Sequence, residues 1–213
     1  MIINAYNLID GVDGLAGSIA LYASVTFAFV FVKDSDYSLA TISVALTGAL
    51  IPFLRLNFSD KRKIFMGDTG SMIVGFLLAF FAVSFISNSQ VIEISTFHKA
   101  SPALVLAILF YPLMDTFRIF MIRIFILKKS PFLADKNHIH HQFLKIGYSH
   151  KKTTLIISII NVIIILIAFS CLSFNLNTQI FALLLYGSLL FFIPFLIHKL
   201  KGIPLKQERF KTH

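Results

Sequence analysis

Long apolar runs alternate with short polar stretches along the whole chain. Six runs stand out: Leu15–Val32, Leu39–Leu56, Met72–Ser87, Pro102–Leu127, Thr154–Phe174 and Gln179–His198. A helix needs about 20 residues to cross the hydrocarbon of a bilayer, and these runs have that length, the third being slightly short. The fourth carries Asp115, Arg118 and Arg123, which predicts that it leaves the hydrocarbon near Thr116. No internal repeat and no low-complexity linker interrupts the pattern. It predicts an all-α, polytopic membrane protein with about six transmembrane helices.

Composition agrees with the pattern. Hydrophobic residues make up 57% of the 213 and charged residues 14%, with a mean hydropathy of +0.83. Soluble domains run near 45–50% and about 25%, so a soluble domain is excluded. The formal net charge of +9 is spread between the apolar runs rather than gathered in a patch. That distribution points to lipid headgroups and phosphorylated substrates, and away from nucleic acid. Cys171 stands alone inside an apolar run and has no internal disulfide partner. The N-terminus has no basic start and carries Asp10 and Asp13, so it does not read as a signal peptide.

With the N-terminus inside and the runs alternating, every Lys and Arg except Lys33 and Lys99 falls on the cytoplasmic side. This predicts a multi-pass protein of a bacterial inner membrane with both termini cytoplasmic. Residues 1–198 would form the transmembrane domain, with cytoplasmic loops 1–14, 57–71 and 117–153. Residues 199–213 would form a basic tail held at anionic lipid. The unusual polar stretches all land on the cytoplasmic face. A transporter should instead show polar or broken helices near the midplane, and the apolar runs are mostly clean.

Three polar stretches carry candidate chemistry. In the first, Asn4–Gly17, the residues Asn7, Asp10 and Asp13 recur every three positions. On a helix they would line one stripe, suited to a sugar, base or ribose and to a cation. Asp-Gly occurs twice there and reads equally as turn chemistry. The second is Phe65-Met66-Gly67-Asp68-Thr69-Gly70-Ser71, just after Lys61-Arg62-Lys63. An acid at the mouth of a membrane helix needs a partner, a metal or water, and the glycines let a phosphate approach. The alternative is a polar loop with Thr69 or Ser71 as a helix N-cap. Acids are sparse on this face, which suits magnesium held by one or two carboxylates and substrate phosphates better than a calcium or zinc cage.

The third stretch, Ser130–Gln142, holds Asp135 and His138-Ile139-His140-His141. On a helix His138 and His141 would share a face and His140 would point elsewhere. Such histidines suit phosphate binding, proton transfer or zinc, or a solvated basic loop. Zinc is the weaker case, without a second cysteine or a His-Glu-x-x-His pattern. Asp115 and Arg118, three apart, predict an ion pair at the interface.

Taken together, the three stretches resemble the polyprenyl-phosphate N-acetylhexosamine-1-phosphate transferases, bacterial membrane enzymes related to the peptidoglycan lipid I translocase. The His-Ile-His-His form is similar to the N-acetylglucosamine branch. The resemblance implies transfer of a sugar-1-phosphate from a UDP-sugar to undecaprenyl phosphate in the lipid bilayer, with release of UMP. It implies Mg2+, or Mn2+ in its place, at Asp68. It implies that Asn7, Asp10, Asp13 and Gly67 contact the nucleotide sugar, and that His138, His140 and His141 stabilise phosphate charge. The full enzymes carry more helices before the first stretch and an adjacent pair of acids that handles the acceptor phosphate. No such pair occurs here. The chain therefore reads as the C-terminal part of such an enzyme, with a homodimer or a complementing N-terminal half as partner. The competing expectations are a non-catalytic fragment or split subunit, and a metal or phosphate transporter.

Overall fold

The computed structural model describes residues 1–88, 96–128, 130 and 138–200. Among these there are helices and no strands. A short α1 (Ile2–Leu8) leads through a turn into α2 (Leu15–Lys33), which forms an antiparallel hairpin with α3 (Tyr37–Asn57). Then come α4 (Gly67–Asn88), the single turn α5 (Thr96–Lys99), α6 (Ser101–Ile108) and α7 (Phe110–Met121), which runs on into a wider π-type turn at Ile122–Ile126. The short α8 (Ile139–Lys145) and the long α9 (His150–Ser170) and α10 (Leu176–Leu200) complete the described residues.

The centre is α2. Its small residues let neighbours come close: Ala16, Ala20 and Ala23 are buried along it, and Gly17 lies against Phe53 and Leu54 of α3. Small residues at such contacts are the usual means of packing helices in lipid, where no hydrophobic force draws them together. The Ser24 and Thr47 hydroxyls bridge α2 and α3 at 2.8 Å. Phe27 and Phe31 of α2 interlock with Phe81 and Phe85 of α4 at ring separations of 5.7–6.0 Å. On the other side of α4, α1 is drawn in so tightly that a methyl group on Gly75 would stand 3.2 Å from the Ile3 Cα.

All six apolar runs are helical, and among the described residues α2, α3, α4 and α9 have the length and apolarity to cross a membrane. The 25-residue α10 carries an apolar stretch from Leu176 through at least Phe192. The fourth run, expected as one segment leaving the hydrocarbon near Thr116, breaks earlier. Its two halves, α6 and α7, meet at 79° around Leu109, making a fifth span only if counted together. The expectation of clean apolar runs is corrected here.

The cause of the break is local. Pro112 cannot donate a backbone hydrogen bond to the preceding turn, and Asn161 of α9 supplies partners for the freed groups. Its Oδ1 accepts from the Tyr111 backbone N–H at 3.0 Å, and its Nδ2 donates to the Ile108 carbonyl at 3.3 Å. Asn161 is wholly buried. In a bilayer such a bend is tolerated only where protein groups satisfy the exposed backbone. Replacing Asn161 with Leu should therefore lower stability by about 1–3 kcal/mol. The measurement is Tm in detergent, against an unchanged value for Ile163→Leu on the exposed side of the same helix.

Candidate active site

The first stretch is not one helical stripe. Helix α1 ends at Leu8, and residues 9–14 form turns that close on Gly14, whose φ is +74°. The twin Asp-Gly pairs account for this: each glycine loosens the backbone where a side chain would favour the helix. At Gly14 the Phe58 ring fills the space a side chain would need. So Asn7 stands on the helix, while Asp10 and Asp13 are presented from the turn in different directions.

Asn7 joins the first stretch to the second. Its Nδ2 donates to Ser71 Oγ at 2.7 Å and to Asp68 Oδ1 at 3.3 Å, and Ser71 Oγ donates to the Asp68 carbonyl at 3.1 Å. Asp68, Thr69 and Ser71 lie inside α4, which begins at Gly67, so neither hydroxyl is an N-cap. Gly67 has a φ of +67°, a conformation that favours glycine, and its N–H lies near the Asp10 carboxyl. Burial pushes the Asp10 carboxyl up to about 6; the Gly67 N–H opposes this, and the nearby Asp68 charge adds to it. Two carboxylates thus lie close together beside Asn7.

Asp13 is engaged elsewhere. Lys63 meets it at 2.6 Å and His150 Nδ1 at 3.4 Å. The Asp13 carbonyl accepts from Thr154 Oγ1 at 2.7 Å. Asn57 closes this corner, accepting from the Gly14 N–H and donating to the Ile64 carbonyl at 2.6 Å. The basic run is thereby held beside the acidic turn, with Lys63 a third exposed.

The histidines also differ from expectation. Helix α8 begins at Ile139, with His138 in extended backbone before it, so His138 does not share a helical face with His141. Instead the His138 and His140 rings stack at 5.6 Å, 8° from parallel, and the His141 ring lies 4.3 Å from His140. His138 Nδ1 is 2.8 Å from Asp115 Oδ2, and the Ile139 N–H donates to Asp115 Oδ1 at 2.8 Å. The expected Asp115–Arg118 pair is present at 3.3 Å but is the longer of these contacts. His140 Nδ1 is 3.1 Å from the Tyr111 hydroxyl.

Burial pushes His140 down to about 3, which Asp115 opposes and His141, His138 and Arg118 reinforce. It is a neutral imidazole. A methyl group on Gly11 would stand 3.1 Å from His140 Nε2 and 3.8 Å from His141 Cε1. Asp135 lies outside the described residues.

All three stretches therefore meet at one end of the bundle, through Asn7 to Asp68 and through Gly11 to His140. Tyr111, Asn57 and His150 join them without having been singled out as candidates. Tyr111 was hidden in an apolar run, and His150 was one histidine beside a basic pair. Among the described residues no group of three His, Cys, Asp or Glu side chains converges as a ready metal cage.

Residues 1–86, which include the first two stretches, match the model of glycosyl transferase family 4. The chain is 38% identical over 168 residues to the decaprenyl-phosphate N-acetylglucosaminephosphotransferase of Mycobacterium leprae, which covers 73% of this chain and 42% of the relative. It is 32% identical over 162 residues to the undecaprenyl-phosphate alpha-N-acetylglucosaminyl 1-phosphate transferase of Escherichia coli K12, covering 74% and 41%. This chain is a homologue of the family 4 glycosyl transferases. It spans about two fifths of the length of these curated relatives. No solved structure matches it.

In this family 4 homologue the Asp10 carboxyl carries a pH signature. A carboxyl whose pKa is higher in the folded chain than in the unfolded one favours the fold in its protonated form. That contribution is complete below the ordinary aspartate range and is lost as pH rises through about 6. His140, held neutral by burial, pulls the other way over the same range, so the prediction is of a difference. In the presence of a chelator, the Tm of the parent chain minus that of Asp10→Asn should fall as pH rises from about 4 to about 7, which thermal unfolding of the two proteins in detergent will measure.

Proposed function

We propose that this chain forms the catalytic face of a sugar-1-phosphate transferase working at the cytoplasmic side of a bacterial inner membrane. The donor is UDP-N-acetylglucosamine or a related UDP-sugar, and the acceptor is undecaprenyl phosphate. An acceptor phosphate oxygen attacks the sugar-linked phosphorus of the donor. The bond from that phosphorus to the UMP oxygen breaks, UMP leaves, and a lipid diphosphosugar remains. The observation that carries this reading is the convergence of the Asp10–Asp68 carboxylates, the Lys63 cation and the histidine tandem at one end of an apolar bundle.

Phosphoryl transfer asks the protein mainly for positioning and charge neutralisation. The Asp68 charge disfavours ionisation of Asp10, a conflict that a divalent cation between them would relieve; with the Asn7 amide oxygen nearby, the oxygen set fits Mg2+ or Mn2+. Bound there, the cation would neutralise diphosphate charge as the bond to UMP breaks. Lys63 and His150, both partly exposed beside Asp13, are placed to meet further phosphate or nucleotide oxygens. His140 and His141 pack over Gly11, on the turn that carries Asp10. A cavity of about 240 Å3 beside Arg118 and Gln142, walled by Phe110, Met114, Phe191 and Phe195, suits the isoprenoid end of the acceptor.

The test is transfer of labelled sugar-1-phosphate from UDP-N-acetylglucosamine to undecaprenyl phosphate by membranes containing this chain alone. Lipid-linked product with magnesium, its loss with chelator, and a fall of about 100-fold or more in Asp68→Asn are the expected results. Product that persists in chelator and in Asp68→Asn would overturn the metal assignment. Activity that appears only when the upstream half of a relative is supplied would show that the reaction also draws on groups outside these 213 residues.

A further inference from the structure

Two residues of α7 are unused by this account and reach into it. Tyr111 and Asp115 are four apart, so they share one face of the helix, and both are wholly buried. Each meets the Nδ1 of a different histidine, Asp115 that of His138 and Tyr111 that of His140. We propose that Asp115 and Tyr111 are positioning residues that fix opposite tautomers in the two stacked histidines, proton on Nδ1 in His138 and on Nε2 in His140. His140 then carries its one N–H on Nε2, against the turn at Gly11.

The Asp115 half follows from donor and acceptor counting. An ionised carboxylate only accepts. Its Oδ1 already takes the Ile139 N–H, and its Oδ2 lies 2.8 Å from His138 Nδ1. The proton of that contact must belong to the histidine. The Tyr111 half rests on comparing two arrangements. If His140 Nδ1–H donated to the phenol oxygen, the phenol proton would need another acceptor, and no other contact of that hydroxyl is seen among the described residues. His140 Nε2 would then be a bare lone pair, also buried without a hydrogen-bond partner. If the phenol donates to Nδ1, its proton is used, and the one group left over is His140 Nε2–H. The second arrangement leaves one buried polar group unmatched instead of two, and buried groups are rarely left so. The neutrality of His140, caused by its burial, agrees.

The unmatched N–H lies against the first Asp-Gly turn. A methyl group on Gly11 would stand 3.1 Å from Nε2, tighter than side chains ordinarily pack, so glycine is what lets the ring sit there. On the transferase reading, on which this inference rests, the ring is thereby set beside the turn that carries Asp10. The carboxylate and the phenol touch neither substrate nor metal in this scheme. They act through the histidines, whose geometry must hold to fractions of an ångström for the donor to count.

The experiment reads the tautomers directly, so its outcome does not depend on activity. The full chain, labelled with 15N-histidine and held in lipid nanodiscs, gives separate Nδ1 and Nε2 signals for each ring, assigned by His138→Gln and His140→Gln. The expected result is a protonated Nδ1 in His138 and a protonated Nε2 in His140. Asp115→Asn offers an amide donor to His138 Nδ1 and should move its proton to Nε2. Tyr111→Phe should leave His140 a mixture of tautomers and lower kcat about 10- to 100-fold with KM for the UDP-sugar little changed. Gly11→Ala should lower kcat while leaving both tautomers as in the parent chain. A parent spectrum with His140 protonated on Nδ1, or a Tyr111→Phe variant with unchanged His140 signals, would overturn the proposal. Correct tautomers in a chain that transfers no sugar phosphate even when the upstream half of a relative is supplied would overturn the transferase reading and leave this assignment standing.

Discussion

Backbone groups buried away from water must find partners within the protein, and at three places where this chain departs from regular helix an asparagine supplies them or ties the loose piece down. Asn57 holds the turn that enters α2, bonding Gly14 on one side and Ile64 on the other. Asn161 holds the two sides of the break between α6 and α7. Asn7 clamps α1 to the first turn of α4. A side-chain amide carries a donor and an acceptor on one rigid plane, which is what a broken backbone needs. Remove these bridges and the polar end of the bundle has no reason to keep its shape.

The charges at that end are arranged in two zones. Asp13, Lys63 and His150 make a balanced group in which opposite charges meet directly. Asp10 and Asp68 make an unbalanced one, two acids beside a neutral amide. Asp115 is a third case, a buried acid surrounded by donors on every side that is described. A membrane protein with so few acids does not place them carelessly, because each is costly near lipid. The balanced acids hold structure, and the unbalanced pair is where an incoming cation or phosphate has most to offer.

How much of this was legible beforehand depended on which force decided each feature. The apolar runs were legible because burial in lipid leaves a long, continuous signal, and the three polar stretches were legible because they interrupt it. The gathering of these stretches at one end followed from counting spans. Local geometry was harder. A three-residue spacing of Asn7, Asp10 and Asp13 fits a helix, but two Asp-Gly pairs outweighed it and made turns. The histidine register failed because Asp115 pulls His138 out of the helix, a tertiary contact 23 residues away. The break near Leu109 was invisible because the residue that permits it, Asn161, lies 50 positions further on in a run that looks uniformly apolar.

That break has a mechanical consequence. The stretch from Phe110 to Ile126 is about 25 Å long, yet at 79° to α6 it advances only about 5 Å along the α6 axis. The stretch therefore lies across the α6 axis like a crossbar, with Phe117, Met121, Phe125 and Ile126 on its exposed side and its elbow pinned by Asn161. His138 and His140 are tied to that bar through Asp115 and Tyr111, so a tilt of the bar would carry both rings with it.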